Sequence, residues 1–405
     1  MTIAYYVLLG VSAAGLLCCT GFVLLIVVAA IRFRLRRPPA TPAGSAWPPV
    51  SLLKPLCGLE PNLASNLASF FQQNYGNFEI VFGMRDTEDA ALAIARTVQA
   101  GFPGVPVRYV FSGQPDRPNA KVCSLEKMIA AASFDYLVIS DSDVRVTPEY
   151  ITEVVRPLLT PENGLVNCIY RGVPSGGIWS RLEALGMSVE MTAGVIVAEL
   201  LEGMKFALGP TMAIRREVLD SVGGVSILAD YCADDYVLGE RVAAAGKTVV
   251  LSSHIIDHFA LHRRFRDSVD HQVRWMKSTR FSRPMGHVGT GVTFAMPFGL
   301  LGLAAGLIGH HPNVGIALLA YAVVNRFVMA WAAGWGAVRD PRALWFCWLY
   351  PVRDLMGFAF WVASYWSTTI VWRREKYRLQ PGGFMVKADE GKPSSARPVT
   401  VDRLP

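Results

Sequence analysis

Short apolar runs alternate with segments of helical spacing in the first third of the chain. The apolar runs predict buried strands at 50–55, 78–84 and 105–111, with a fourth strand beginning at Tyr136. The intervening segments predict helices at 62–74, 89–100 and 121–132. Strands that alternate with helices indicate a parallel sheet with right-handed crossovers. Further along, the pattern predicts a helix at 237–245 and a strand at 248–252.

Much longer apolar segments lie at the two ends of the chain. Segment 4–31 is long enough to span a bilayer, and the basic run 32–37 comes directly after it. The positive-inside rule therefore predicts an external N-terminus and a cytoplasmic position for the residues after this run. Three more apolar segments occur at 292–308, 314–335 and 344–371.

The last apolar segment carries Arg353 and Asp354. A charged residue at the bilayer centre costs about 2.5 to 3.5 kcal/mol on insertion scales. We therefore expect 344–371 to be re-entrant or interfacial, or its charged pair to pack against the catalytic domain. A further apolar stretch, 176–203, fits two structures equally well: a core helix, or a membrane-surface helix that forms the wall of an acyl-chain groove.

These patterns divide the chain into five predicted parts. They are an N-terminal transmembrane helix (1–31), a basic, proline-rich linker (32–49), a cytoplasmic catalytic domain (50–285), C-terminal transmembrane or re-entrant helices (286–372), and a basic, partly disordered tail (373–405).

Composition supports a membrane protein. Of the 405 residues, 52% are hydrophobic and 18% are charged, and the formal net charge is +7. So apolar a chain is atypical of soluble proteins. Its basic residues cluster beside apolar segments, which favours anionic lipid headgroups over nucleic acid as the partner. The seven cysteines form no C-x-x-C pair, so their spacing supports neither a zinc site nor a disulfide framework, and a reducing compartment is expected.

Two carboxylates follow the strand that begins at Tyr136. Asp141 and Asp143 stand where ligands of open α/β sheets bind, beyond the carboxyl end of a strand. Mg²⁺ typically binds through one or two carboxylates and substrate phosphates, so the pair predicts a metal–nucleotide diphosphate site. The alternative is a solvated turn, in which Asp and Ser are common.

Other acids and a basic–aromatic pair suggest the reaction class. Asp86 follows a second strand, and Asp234 and Asp235 precede a predicted helix. One carboxylate group can hold metal and diphosphate while another takes a proton from an attacking hydroxyl. Arg274 and Trp275 fit a phosphate clamp and an aromatic face, although an isolated pair of this kind would more often be an interfacial anchor. The arrangement suits transfer of a sugar from a nucleotide diphosphate.

Several motifs make a resemblance specific. They are Ser51-Leu-Leu-Lys-Pro-Leu-Cys-Gly58 with Glu60-Pro-Asn-Leu63, Asp86 in Arg-Asp-Thr-Glu-Asp, Asp141-Ser-Asp143, Asp234-Asp-Tyr236, Arg274-Trp275 and Lys376-Tyr-Arg-Leu379. Over nearly its whole length the chain resembles the ceramide glucosyltransferase family, a membrane branch of the GT-A glycosyltransferases. Among bacterial proteins it resembles most the hopanoid-biosynthesis glycosyltransferases, which add N-acetylglucosamine to a hopanoid polyol.

The resemblance implies an α/β fold, with a Rossmann-like GT-A domain, one N-terminal and about three C-terminal membrane helices. It implies that Asp141 and Asp143 hold the metal and diphosphate and that Asp86 contacts the nucleotide. Asp235 would be the base, and Arg274 and Trp275 would bind the diphosphate and shape the acceptor site. Lys54 and Lys121 complete the predicted donor-binding set.

One position departs from the family pattern. The family has Gln or Arg three residues before its Arg-Trp pair, whereas this chain has His271 there and Gln272 one place later. His271 can substitute as a donor to the phosphate or the acceptor, or Gln272 can do so through a shifted helix. Both alternatives stay open.

The sequence thus predicts an inverting transferase that moves glucose or N-acetylglucosamine from a UDP-sugar to a membrane lipid, a hopanoid or a ceramide, with Mg²⁺ or Mn²⁺. We expect a multi-pass protein of the bacterial inner (plasma) membrane. A processive polysaccharide synthase and an inactive membrane scaffold are the alternatives. A synthase would need more membrane helices, and the intact strand-end acids argue against a scaffold.

Overall fold

The computed structural model describes residues 2–36, 47–372 and 375–388. Most of the predicted linker and most of the predicted basic tail lie outside these residues. The first helix, α1 (Thr2–Leu35), extends the predicted N-terminal membrane segment by four residues beyond Ile31. Its basic residues Arg32 and Arg34 stand in its last turn, next to the catalytic domain.

Eight strands form the main sheet. In chain order they are β1 (Val50–Pro55), β2 (Phe78–Met84), β3 (Val107–Phe111), β4 (Tyr136–Ser140), β5 (Val144–Arg145), β6 (Asn163–Pro174), β7 (Thr211–Arg215) and β8 (Thr248–Ala260). Their order across the sheet is β3-β2-β1-β4-β7-β6-β8-β5. The first four strands are parallel, as predicted, but β7 runs antiparallel to both β4 and β6. The sheet is therefore mixed.

Helices cover both faces of this sheet. They are α2 (Leu63–Phe71), α3 (Ala91–Ala100), α4 (Ala120–Ala131), α5 (Tyr150–Val155), α6 (Gly177–Gly186), α7 (Thr192–Glu202), α8 (Arg216–Ser221), α9 (Asp234–Ala244) and α10 (Phe265–Ser282). Successive residues of β1 enter different cores, since Leu52 packs with one cluster and Leu53 with the other. This alternation is the period of two expected of a strand buried on both faces.

The stretch 177–202 belongs to the core in this structure. A π-helical turn, Met187–Met191, joins α6 to α7, and most of the stretch is buried. Val189 and Ile196 pack in the same cluster as Ile26 and Phe33 of α1 and as Met329, the last residue of the helix Pro312–Met329. The core of the predicted catalytic domain is therefore continuous with the C-terminal ends of these two long apolar helices.

The C-terminal region contains α11 (Pro284–Gly291), α12 (Ala295–Ile308), α13 (Pro312–Met329), α14 (Arg342–Trp345) and α15 (Tyr350–Ala363). By length and composition, four described segments could cross a membrane: 3–35, 177–202, 284–308 and 312–337. They support a membrane protein. Two of the three predicted C-terminal apolar segments are among them. The third, 344–371, is broken into α14, a short 3₁₀ turn, α15 and a strand.

Small residues let the membrane helices approach closely. Ser12 Oγ of α1 donates to the carbonyl of Phe298 in α12 (2.8 Å), and a Cβ on Gly302 would lie 2.6 Å from that hydroxyl. A Cβ on Gly306 would meet the Gly315 backbone of α13 at 2.7 Å. Close packing of this kind is the usual basis of helix association in bilayers.

Strands β9 (Thr369–Trp372), β10 (Glu375–Leu379) and β11 (Met385–Lys387) form a second, antiparallel sheet. It packs on the catalytic domain: Leu379 and Met385 share a cluster with Cys232 and Phe281, and Tyr231 bridges to Phe384. The Lys376-Tyr-Arg-Leu379 motif forms most of β10.

Candidate active site

The loop after β4 carries the Asp-x-Asp pair and is hydrogen-bonded to the buried side chain of Lys54. The Lys54 side chain is fully buried, and its ammonium donates to the backbone carbonyl of Asp141 and to Ser140 Oγ. It also lies 3.6 Å from the centre of the Phe70 ring. Burial lowers the pKa of Lys54 to about 7, against the opposing effect of Asp141 and Asp143. Lys54 thus supports the Asp-x-Asp loop from inside the domain.

Asp143 is paired with a histidine that sequence reasoning missed. His258, near the end of β8, places Nε2 3.1 Å from Asp143 Oδ2. Burial works against ionisation of Asp143, but the charge and hydrogen bond of His258 hold its pKa below the usual value. Burial likewise disfavours the charged form of His258, but Asp143 raises its pKa above the usual value. No local sequence signal links two residues so far apart in the chain.

Glu60 adds a third carboxyl group to this loop. Burial raises its pKa to about 7, and the negative charges of Asp143 and Asp141 contribute. Glu60 stands in the Glu60-Pro-Asn-Leu63 motif, so a sequence signal existed, but no role was assigned to it.

The donor set fits a hard divalent cation. Asp143 Oδ1 and Glu60 Oε2 are buried without a hydrogen-bond partner in the described part of the chain, and Asp141 is partly exposed. Unpartnered buried carboxylate oxygens are costly, and a cation would satisfy them. Asp141 and Asp143 are thus placed together, with His258 and Glu60 beside them.

Lys121 connects the Asp-x-Asp loop to the second pair of acids. Its Nζ lies 2.7 Å from Asp141 Oδ1 and 3.8 Å from Asp234 Oδ2. Burial disfavours its charge, but Asp141 and Asp234 raise its pKa above the ordinary value. Asn119 caps α4 and donates to Asp234 Oδ1 (3.4 Å). The start of α4 thus binds both acidic groups.

Asp235 occupies the first turn of α9 beside Asp234 but has different partners. The backbone N–H groups of Gly209 (2.7 Å) and Tyr236 (2.8 Å) donate to its two carboxylate oxygens. Burial raises the pKa of Asp235 to about 6, and the adjacent Asp234 raises it further. A carboxylate with a pKa near 6 suits a general base at neutral pH.

Tyr170 in β6 shows that these acids share one crevice. Burial raises the pKa of its phenol, and the negative charges of Asp235, Asp143 and Asp141 raise it further. Its ring also packs edge-on against the His258 ring, with centroids 4.8 Å apart. Tyr170 is therefore close enough to both acidic groups to be affected by their charges.

Arg274 lies on α10, close to the second acidic pair. Burial lowers the pKa of its guanidinium, while the neighbouring Cys232 opposes that shift. Cys232 precedes Asp234 by two residues. The guanidinium also lies 5.7 Å from the Trp372 ring of β9. In the described part of the chain, Arg274 forms no salt bridge, so its charge is available to an anionic ligand.

A small cavity of about 70 Å³ lies between the start of α4, the end of β2 and the second sheet. Arg85, Ala120, Trp372 and Tyr377 are among its lining residues. Asp86, next to Arg85, is exposed after β2, and its Oδ1 accepts from the Glu88 N–H (3.0 Å). The second sheet therefore closes over the start of α4 and the end of β2.

The chain matches a known family over residues 16–385, described as glycosyl transferase family 21. The chain belongs to glycosyl transferase family 21. Ceramide glucosyltransferase 1 of Caenorhabditis elegans is 25% identical over 342 residues, which cover 83% of this chain and 72% of that relative. Ceramide glucosyltransferase 3 of the same organism is 23% identical over 58% of this chain and 51% of that relative.

A solved structure supports the family-21 fold. The mannosyltransferase PcManGT of Pyrobaculum calidifontis, in complex with GDP-Man and Mn²⁺, superposes with a TM-score of 0.53 at 18% identity. The match covers 88% of this chain and 97% of that one. The predicted α/β GT-A fold and the predicted resemblance to ceramide glucosyltransferases are confirmed, whereas the hopanoid branch stays a prediction.

The family-21 chain brings most of its predicted site residues together. Asp141, Asp143, Lys121 and Asp235 surround one crevice, and Arg274 approaches it from α10. Lys54 is buried against the Asp-x-Asp loop, whereas Asp86 is exposed in the turn after β2. The roles assigned to these residues stay predictions.

His271, the residue that departs from the family motif, and the neighbouring Gln272 make different contacts. His271 Nδ1 lies 2.9 Å from Glu183 Oε1, and its ring centre lies 4.3 Å from that of Trp275. Gln272 is buried, and its amide nitrogen donates to Ser268 Oγ (2.9 Å). Neither side chain bonds to the acids of the crevice among the described residues. Glu183, on α6, was not singled out from the sequence.

Proposed function

We propose that this glycosyltransferase transfers a sugar from a UDP-sugar to the hydroxyl group of a membrane lipid, with inversion at the anomeric carbon. The observation that carries the proposal is the position of Lys121 between Asp141 and Asp234. One ammonium group thereby joins the acids suited to a metal–diphosphate and the pair that contains the candidate base. Donor and acceptor would meet across this short distance.

Asp141 and Asp143 would hold Mg²⁺ or Mn²⁺, with His258 orienting Asp143. The bound cation would stabilise charge on the departing diphosphate. Lys121 and Arg274 are the protein cations placed to share that task. PcManGT is described with GDP-Man and Mn²⁺, which supports a divalent metal in this fold.

Asp235 would accept the proton of the attacking lipid hydroxyl. General-base catalysis contributes roughly 10²- to 10⁴-fold when the base is within hydrogen-bond reach and has a pKa near the working pH. The N–H groups of Gly209 and Tyr236 fix the orientation of its carboxylate. A single direct attack by the lipid hydroxyl, on the face of the anomeric carbon opposite the leaving diphosphate, would invert the configuration at that carbon.

The acceptor would arrive from the membrane. The core of the catalytic domain packs against the C-terminal ends of α1 and α13, and this contact supports a lipid hydroxyl that would enter the crevice from the bilayer surface. Relatives named ceramide glucosyltransferase support a lipid alcohol as acceptor. The proposed acceptors are ceramide and a hopanoid polyol, and the proposed donors are UDP-glucose and UDP-N-acetylglucosamine. The proposed location is a bacterial inner membrane, with the catalytic domain on the cytoplasmic side.

A donor-by-acceptor panel tests this proposal. The purified chain in nanodiscs is given each radiolabelled UDP-sugar with ceramide or a hopanoid polyol, with and without Mg²⁺ or Mn²⁺. We expect label in an organic-extractable glycolipid of inverted anomeric configuration, formed roughly 10²- to 10⁴-fold more slowly with Asp235→Asn. Label in insoluble polymer, or retention of configuration, would overturn the proposal.

A further inference from the structure

A cluster of two histidines and a glutamate lies beside the crevice, on three separate segments. Glu183 is on α6, His262 comes after β8, and His271 is on α10. Their ligand atoms lie within 4.8 Å of one another. We propose that this cluster binds a divalent transition-metal ion such as Zn²⁺, distinct from the Mg²⁺ or Mn²⁺ assigned to Asp141 and Asp143.

The first argument is the geometry of the donor atoms. His262 Nδ1 and His271 Nδ1 lie 3.2 Å and 2.9 Å from the same oxygen, Glu183 Oε1. Neighbouring ligands of a tetrahedral zinc ion are separated by about 3.3 to 3.6 Å, given bonds of about 2.0 to 2.2 Å. A small adjustment would therefore place an ion between the three atoms. Two histidines and one glutamate form a known set of zinc ligands, which leaves a fourth position open.

The second argument is the support around the carboxylate. Ser268 Oγ donates to the other oxygen, Glu183 Oε2 (2.6 Å), and Gln272 Nε2 donates to Ser268 Oγ (2.9 Å). Ser268 and Gln272 are both buried. This chain of hydrogen bonds fixes the plane of the carboxylate and turns Oε1 towards both imidazoles. Outer hydrogen bonds that orient ligands in this way are a regular feature of metal sites.

The third argument is charge. The Glu183 side chain is only 2% exposed, and within the described ranges no Lys or Arg forms a salt bridge with it. Its oxygens accept hydrogen bonds from His262, His271 and Ser268, and a divalent ion held by Glu183 Oε1 and the two imidazoles would neutralise its negative charge. The His262 side chain is 30% exposed, which gives the ion a route to the cluster from solvent.

The bound ion would position the next residues of α10. Arg274 and Trp275 stand three and four residues after His271, on the same face of the helix. An ion held by Glu183, His262 and His271 would tie α10 to α6 and to the end of β8. It would thereby fix where α10 presents Arg274 and Trp275 to the crevice.

Metal content tests the site directly. The full chain, purified in detergent without a polyhistidine tag or added metal, is desalted and its zinc is counted by mass spectrometry. We expect about one zinc ion per chain, as in other sites with this ligand set. Glu183→Gln and His262→Ala should lose it. Asp143→Asn, which alters the separate Asp-x-Asp site, should retain it.

Two further variants keep the result interpretable. His271→Gln introduces a residue type that the family has at this position, so it should fold, and we expect it to lose zinc. The double variant His310→Ala/His311→Ala, in the exposed connection between α12 and α13, is the control for adventitious binding and should retain zinc. Added Co²⁺ should give the wild-type chain, but not His271→Gln, a visible absorption band.

Three outcomes would overturn the proposal. They are a wild-type chain without zinc or a cobalt band, zinc content unchanged in His271→Gln, and zinc lost in Asp143→Asn. The first would mean that the cluster is a hydrogen-bond network only. Because this readout is metal content, it is independent of whether the proposed sugar transfer is correct.

Discussion

Asp234 and Asp235 are adjacent in sequence but bind different groups. Asp234 is buried against Asn119 and Lys121, whereas Asp235 accepts only backbone N–H groups among the described residues. Successive residues of a helix point about 100° apart, which allows this division. Asp234 is thus tied to α4, while Asp235 keeps the lone pairs that a base requires.

Asp235→Asn should reduce turnover with a lipid acceptor by roughly 10²- to 10⁴-fold, because the amide cannot accept the proton. UDP affinity should stay close to that of the wild type. Asp234→Asn should cost less in turnover and more in thermal stability, since it loses the charge that pairs with Lys121. Turnover, UDP binding and melting temperature of both variants are the measurements. A dead Asp234→Asn beside an active Asp235→Asn would reverse the assignment.

The pH dependence gives a second test of the same pair. Only the ionised form of Asp235 can act as a base, so kcat/KM should rise with pH through about 6. Asp234 contributes to that raised pKa through its negative charge. In Asp234→Asn the pKa of Asp235 should fall, and the rising limb should move to lower pH. If the rise of kcat/KM with pH stayed at the same pH in Asp234→Asn, a group other than Asp235 would control it.

His258 offers a test of the metal site. Asp143→Asn should abolish turnover and weaken metal-dependent UDP binding while the chain stays folded. His258→Gln, which removes the partner of Asp143, should weaken metal affinity by roughly 10- to 100-fold, as loss of such orienting residues does elsewhere. His254→Gln, on the same strand but against Tyr150, is the matched control. Equal metal affinity in all three variants would remove the Asp-x-Asp assignment.

At the scale of elements, buried ion pairs hold the short helix α15 in place. Arg326 of α13 pairs with Asp354 at 2.8 Å, and both side chains are about 1% exposed. Asp354 also accepts from the Met296 N–H of α12 (2.8 Å). The adjacent Arg353 pairs with Glu190 of the π-helical turn (2.8 Å). Asp354 is thus paired within the protein, whereas Arg353 is paired through Nη2 alone and its other two guanidinium nitrogens are buried without a hydrogen-bond partner among the described residues.

Removing one partner of a buried ion pair, and leaving the other partner in place, should strongly destabilise the protein. Arg326→Met leaves Asp354 buried and unpaired, which typically costs about 3 to 5 kcal/mol. The double variant Arg326→Met/Asp354→Asn should recover part of this loss, because the amide is neutral. The measurement is thermal or denaturant unfolding in detergent. A double variant less stable than Arg326→Met would show that the charge of Asp354 is not the source of the loss.

At the scale of the whole molecule, the second sheet determines which side of the membrane the C-terminal region occupies. Strands β9 to β11 pack on α10 and Tyr231, so Arg378 lies on the same side as the catalytic domain. This requires an even number of crossings between them. The candidate segments 284–308 and 312–337 would provide two crossings if neither 177–202 nor α15 crosses the bilayer.

Reporter fusions test this topology. A reporter fused after residue 37 and one fused after Arg378 should both read cytoplasmic, and one before Ala4 should read external. A fusion between α12 and α13, at His310, should also read external. Opposite readings at 37 and 378 would mean that another segment crosses the bilayer, with 177–202 the first candidate by length and composition.

Local pattern determined the elements around the site. Strands β1 and β2 have the predicted bounds, and β4 starts at Tyr136 as predicted, because unbroken apolar runs between turn residues specify buried strands. The acids at their carboxyl ends were identifiable for the same reason. Hydropathy predicted the membrane segment at the core of α1, the segment that contains α12, and most of α13, because a helix in lipid satisfies its own backbone hydrogen bonds.

Only the tertiary structure decided how those elements meet. The antiparallel insertion of β7 between β4 and β6 depends on strand pairing across the sheet, which no local period encodes. The same holds for the pairing of Asp143 with His258 and for the meeting of Glu183 with His262 and His271. Sequence spacing fixes which face of its own element a side chain occupies. Contacts between distant elements are fixed by the packing of the whole chain.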